Sequence, residues 1–314
     1  MESQVGGKSE QFTHEQHIVP QWHLKRFVGP DGSLWRYMQN KPPRPRRPKG
    51  ECWERNFYEF DVNGERTRNR YEKWLSRIEN DAASLVDKLV GRQQLSHRES
   101  SAWAAYVATL FLRTQKVRAQ FSARMVQEFK QQCQRPEFVR DLQYDLLRVG
   151  ELVYADDLRR QIEQLRTNME SSPSYYHLLA LHHHTRPLSA VLLTKRWEVV
   201  DAPPGKFFVI SDCPVTTVEI APGQARPGPG FAKENSAVVL PITPQTIFIA
   251  SAAPVQWRRV GTATAVDSTN LLTVRFADKR VYAHIDSPEV QGLVDREMNL
   301  ITFGKDAFVP GSQN

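Results

Sequence analysis

The chain changes character at Trp197, and that change constrains its fold more than any other feature. Before it, apolar residues recur at intervals of three and four. Tyr71, Trp74, Leu75, Ile78, Ala82, Leu85, Val86 and Leu89 share one face of a helix predicted over 70–91, with Gly91 as its stop. Ser96-His-Arg-Glu99 is a capping box, and the helix it opens is predicted to run through Trp103, Leu110, Arg113, Val117 and Met125 to about Gln132. Pro136 opens a third helix ending near Gly150, and a polar helix follows over 156–170. Ser172-Pro173 opens another towards His184, which Pro187 must break or kink. After Trp197 come short β-branched runs at 197–200, 207–210, 215–220, 237–240 and 246–250, separated by Pro/Gly turns. A helix over about 270–277, a strand at 280–284 and a helix capped by Ser287-Pro288 complete the pattern.

The predicted fold class is therefore α+β. A helical body over about 70–195 packs on a mostly antiparallel sheet over about 197–284, and the N-terminal segment folds back onto it. Within that segment, 33–38 and 56–60 read as strands, with turns at Gly29-Pro30-Asp31-Gly32 and 61–64. Residues 1–13 read as a disordered tail, and 14–314 as a single α+β domain with a helical subdomain (70–195) and a sheet subdomain (196–314).

Composition narrows the class of protein. At 314 residues with 40% apolar and 25% charged residues, the chain suits a soluble globular fold with a substantial core. No apolar run approaches the ~20 residues of a membrane span, and the first residues lack the apolar stretch of a secretory signal. Cys52, Cys133 and Cys213 are odd in number and widely spaced, which suits buried thiols in a reducing cytoplasm, the expected location. Neither a P-loop, a dinucleotide-binding glycine motif, an H-E-x-x-H nor a kinase signature is present.

The net charge of +7 is unevenly spread: residues 1–50 hold nine Lys/Arg against four acids. From Arg36 to Lys49 there are six cations and no acid, threaded through Pro42, Pro43, Pro45 and Pro48. Proline keeps such a stretch extended, giving a semi-rigid basic loop. Arg44, Arg46, Arg47 and Lys49 are its candidate phosphate-binding residues, each neutralised contact adding salt-sensitive affinity. The alternative is a solvated loop that only keeps the protein soluble.

A third feature is a set of ordered landmarks. His17-Ile-Val19-Pro20-Gln21-Trp-His23-Leu24-Lys-Arg-Phe27 comes first, then Asn56-Phe57-Tyr58, a helix bearing Glu72 and Glu79, and Leu112-Arg113-Thr114. Ile210-Ser211-Asp212-Cys213-Pro214, Leu240-Pro241-Ile-Thr-Pro244, Asn270 and Val281-Tyr282 follow. In order and spacing the set resembles a bacterial family called domain of unknown function 4238. The resemblance spans nearly the whole chain and implies no activity or catalytic residues. The family most often has Ser-Asp-Asn-Pro where this chain has Ser211-Asp212-Cys213-Pro214.

Several landmarks have the chemistry of a site. Asp212 ends a predicted strand, where a carboxylate can act as metal ligand, general base or orienter of a histidine; an Asx turn is the structural alternative. Ser211 is a nucleophile only with a base beside it. His17, restrained by Val19-Pro20, suits an acid, base or ligand role, or else anchors the segment to the helical body. Arg113 suits a phosphate clamp, or a bridge to Glu79 between adjacent helices. Gln21 and Asn270 are accompanying binding candidates. His182-His183-His184 cannot converge on one ion from a single helix and is expected as a helix-terminal basic cluster.

Two functions compete, and a small-molecule enzyme with a deep pocket next to Asp212 is a third reading. The first is a phosphodiester-acting hydrolase, a nuclease of a defence or toxin type, with His17, Ser211, Asp212 and Arg113 at its centre and a divalent metal as an unidentified cofactor. The second is a non-catalytic module for nucleic acid or protein, in which the landmarks pin helix to sheet and the basic loop touches the partner. Nucleic acid is the expected partner and a membrane is not; the metal, the substrate and the oligomeric state are open.

Overall fold

The computed structural model describes residues 15–55, 57, 61–62, 65–66, 70–148, 152–171, 173–221, 224–227, 230–252 and 261–301. The expected tail at 1–13, the turn at 63–64, the helix end at Gly150 and Ser172 lie outside them, as does most of the strand expected over 56–60. The chain opens with β1 (Glu15–His17) and a short helix, α1 (Gln21–Lys25), entered through Pro20. The expected turn follows, with Gly32 donating to the Gly29 carbonyl and Asp31 accepting from the Ser33 amide. Next come β2 (Leu34–Met38), β3 (Lys41–Arg46), a 3-10 turn over Pro48–Gly50, and β4 (Trp53–Arg55), which pairs antiparallel with β1. β5 (Asp61–Val62) and β6 (Glu65–Arg66) form a minimal pair of their own.

The helical body departs from the sequence pattern at two breaks. The helix expected over 70–91 is two, α2 (Arg70–Ala83) and α3 (Val86–Val90); between them the Ser84 hydroxyl donates to the Asp81 carbonyl, a local alternative to the helical ladder. The long helix expected from Ser96 to about Gln132 is also two, α4 (His97–Leu112) and α5 (Gln115–Cys133). Its capping box is present as read. The second break falls at Arg113-Thr114, because Thr114 adopts extended dihedrals and caps α5, accepting from the Val117 amide at 3.3 Å. α6 (Phe138–Arg148), α7 (Ala155–Ser171) and α8 (Pro173–Thr194) follow. α8 runs through Pro187 without a break. The carbonyl that loses its donor is that of His183, an exposed residue whose oxygen water can serve.

The remaining strands are β7 (Arg196–Asp201), β8 (Ile210–Ser211), β9 (Thr216–Ala221), β10 (Gln224–Pro227), β11 (Ser236–Thr243) and β12 (Thr246–Ser251). α9 (Ala263–Phe276) begins seven residues before the expected helix, followed by β13 (Val281–Ala283) and α10 (Pro288–Glu297), capped by Ser287 as expected. The strands divide into two main antiparallel sheets instead of one. The larger has order β10-β9-β11-β12-β7, and the smaller β3-β2-β13-β8, so the N-terminal segment folds back by supplying half of a sheet.

Alternation along the central strands explains why both faces are covered. Val238, Leu240, Phe248 and Ala250 join the core of the helical body, with Trp103 packed edge-on against Phe248. Ala237, Val239, Ile247 and Ile249 face the other way and pack with Val266 of α9. A strand buried on both sides reads as a continuous apolar run, which is how 237–240 and 246–250 appear in the sequence. In the smaller sheet, Tyr37, Val281 and Ala283 pack with Val290 and Val294 of α10. Leu34, Ile210 and Tyr282 pack with Leu24 and Phe27 on the opposite face.

Candidate functional site

Asp212 follows β8 and reaches across to the turn before β13. Its Oδ1 accepts from the Asp278 amide at 2.8 Å, and its Oδ2 from the amides of Lys279 at 2.8 Å and Arg280 at 3.0 Å. Burial pushes the carboxyl up to about 6, against the pull of those amides. The Asx turn considered from the sequence bonds an amide two residues on, whereas these partners lie some sixty-six residues away. The carboxylate thus ties β8 to β13. Ser211, fully buried, closes a local loop instead: its hydroxyl donates to the Cys213 carbonyl at 2.9 Å and accepts the Cys213 amide at 3.2 Å.

Asn270 sits on α9, facing 207–209, the part of the expected strand that lacks ladder partners. Its Oδ1 accepts from the Val209 amide at 3.0 Å and its Nδ2 donates to the Phe207 carbonyl at 2.8 Å. A side-chain amide thereby takes the place of a neighbouring strand.

His17 and Gln21 do come together. The Gln21 Nε2 lies 3.1 Å from the His17 Nε2, and the His17 ring also bonds the Lys49 backbone. Burial lowers the His17 pKa most, opposed by that backbone bond and by the charge of Glu79, with Arg113 adding to the lowering. His17 therefore belongs to the neighbourhood of Glu79 and Arg113. The bridge between those two exists as read: the Arg113 guanidinium, with no exposed side-chain surface, donates to Glu79, which is 21% exposed. Arg113 stands at the junction of α4 and α5, not inside one helix as expected, and its burial places it behind Glu79 instead of at a surface a phosphate reaches.

Two joints escaped the sequence reading. His23 is fully buried, 2.7 Å from the Tyr106 hydroxyl and 2.8 Å from the Pro241 carbonyl. Since the carbonyl only accepts, Nε2 carries the proton and Nδ1 accepts from Tyr106. His177 uses its Nε2 to serve the Leu112 carbonyl at 2.8 Å, one of the orphan acceptors where α4 ends. The signal available was an apolar environment for a lone histidine, too common to single out either. His182, His183 and His184 lie in mid-helix, with His182 against Trp74, and are not the terminal cluster expected.

The basic stretch is better ordered than a loop. β2 and β3 form a hairpin in which Arg36 stands opposite Arg44, Trp35 opposite Pro45 and Leu34 opposite Arg46. Asn40 takes the positive φ of 56° at its turn. β3 is an edge strand, which explains its prolines: they donate nothing to a ladder and blunt an otherwise open edge. Glu51, its side chain only 3% exposed, holds the base of the hairpin. It accepts from Arg36 at 3.1 Å and from the Tyr282 hydroxyl at 3.0 Å, with Arg46 at 3.7 Å. Lys41, Arg44, Arg47 and Lys49 are exposed, and among the described residues none of them enters an ion pair.

Among the described residues, no group of three or more His, Cys, Asp or Glu side chains is placed to hold a metal ion. No described helix is long and apolar enough to cross a membrane. The family model described as "Protein of unknown function (DUF4238)" matches residues 15–287, and the chain belongs to that family. No curated protein and no solved structure matches.

Proposed function

We propose that this member of the family binds the phosphate backbone of nucleic acid through the β2–β3 hairpin, with the polar landmarks serving as joints of the scaffold. The observation that carries the reading is the set of four exposed cations, Lys41 and Arg44 on the β2–β3 hairpin and Arg47 and Lys49 at the 3-10 turn that follows it, with the base of the hairpin neutralised and fixed by Glu51. Arg36 and Arg46 are engaged with that carboxylate, so the remaining four define the charge a partner meets. The hydrolytic reading has less support, because Asp212 and Ser211 spend their polar atoms on backbone groups and Arg113 is enclosed.

The test is fluorescence anisotropy with single- and double-stranded DNA and RNA across a salt series. Four backbone contacts imply a log–log salt slope of about −3 to −4. Charge reversal of Arg44, Arg47 and Lys49 should weaken binding by roughly a hundredfold at low salt and flatten that slope by about 2 to 3. Failure to bind any of the four nucleic acids near 50 mM salt, or indifference to the reversals, overturns the reading. The same samples incubated with magnesium, manganese or zinc report on hydrolysis. Cleavage that His17→Ala removes would restore the enzymatic alternative.

A further inference from the structure

A cleft of about 250 Å³ opens beside the hairpin, lined by Arg36, Met38, Lys41, Pro42 and Arg44. Pairing explains why three cations meet there. Arg36 and Arg44 are directly opposed in the ladder, so their side chains leave the same face. The register shift between Arg36 and Met38 then sets Lys41 across from Met38, at the turn end of the same pair.

We infer that this cleft receives the terminal phosphate of a nucleic-acid strand, an assignment that rests on the backbone-binding reading above. Charge favours an end over an internal linkage. Arg36 shares its charge with Glu51, which leaves Lys41 and Arg44 as about two uncompensated positive charges. A phosphomonoester carries about −1.5 to −2 at neutral pH, an internal phosphodiester only about −1. Shape agrees with charge. Met38 and Pro42 supply an apolar wall suited to one sugar face and no donor for a second phosphate. Arg47 and Lys49, outside the cleft, are left to contact the backbone further along the strand.

The test uses the whole protein and one single-stranded oligonucleotide made in three forms, with hydroxyls at both ends, with a 5′-phosphate and with a 3′-phosphate. One of the two phosphorylated forms should bind about tenfold tighter than the hydroxyl form. Lys41→Gln and Arg44→Gln should remove that preference, whereas Arg47→Gln and Lys49→Gln should weaken all three forms alike. Equal affinity for the three forms overturns the cleft assignment and leaves backbone binding standing. Absence of binding to every form removes backbone binding itself, and this assignment with it. Displacement of the oligonucleotide by a nucleoside monophosphate or inorganic phosphate at a matching concentration would identify a small phosphate compound as the ligand and overturn the strand-end assignment.

Discussion

His23 and Tyr106, 83 residues apart in the chain, meet side chain to side chain at 2.7 Å inside the core. The same imidazole donates to the Pro241 carbonyl at 2.8 Å, so one ring ties the N-terminal segment to the helical body and to β11. Full burial disfavours the charged ring, and the neutral imidazole, with one donor and one acceptor nitrogen, matches both partners.

Acid should therefore loosen the protein. Burial lowers both His23 and His177 from 6.5 to about 4, while the unfolded chain keeps the ordinary value. Between those limits the unfolded state binds more protons, so their stabilisation is complete above pH 6.5 and is lost as pH falls towards 4. Each contributes roughly 3 kcal/mol over that window. Asp212, raised to about 6, runs the other way: its contribution is present below its ordinary value and lost as pH rises through 6. Two histidines outweigh one carboxylate. Urea midpoints should drop steadily from pH 7 to pH 4.5, and His23→Gln should reduce the slope; a flat profile would refute the account.

The Glu79–Arg113 pair predicts a different asymmetry. Arg113 is enclosed while Glu79 keeps some contact with water, so Glu79→Gln takes the opposing charge of this bridge away from a buried guanidinium. That loss should cost about 3–5 kcal/mol. Arg113→Met, which leaves a carboxylate that water can still reach, should cost less. Chemical denaturation of both variants checks the order, and equal costs would mean that the charge burial is shared.

Much of the fold was legible because periodicity and capping are local properties. The Ser96–Glu99 box, the Ser287 cap and the continuous apolar runs of β11 and β12 appear where their patterns place them. The breaks at Ser84 and Arg113-Thr114 were hidden for the opposite reason. A side chain that interrupts a helix does so by a hydrogen bond, and an apolar stripe continues across it unchanged. Asp212 and Asn270 were legible as residues but not as roles, and Glu51 was not singled out at all. Asp212, Asn270 and Glu51 bond partners 66, 61 and 231 positions away, separations that no local pattern encodes.

Asp212→Asn should damage folding, where a purely catalytic carboxylate would tolerate the change. The two carboxylate oxygens take three amides from 278–280, so an asparagine NH₂ must face at least one of them. An amide stranded in this way costs about 2–3 kcal/mol. Thermal unfolding followed by circular dichroism measures it. Wild-type stability in this variant would show that the Asp212 clasp contributes nothing to the joint.

Gly29 gives the sharpest steric prediction. A Cβ at this position would stand 2.0 Å from the His284 carbonyl oxygen and 3.1 Å from its carbon. Both are backbone atoms, so no rotamer change relieves the contact. The turn is also held by the Gly29 amide donating to Ser33 at 2.8 Å and by the Gly29 carbonyl accepting from Gly32 at 2.9 Å. Gly29→Ala must therefore push the 29–33 turn away from the end of β13, at a cost of at least 1–3 kcal/mol, on the order of overpacking in a tight core. Gly32→Ala meets open space but sits at φ +77°, so it should lose about 1 kcal/mol through backbone strain alone. Denaturant midpoints that rank Gly29→Ala below Gly32→Ala would support the close approach as the constraint on this turn. The reverse order would place it in the left-handed residue instead.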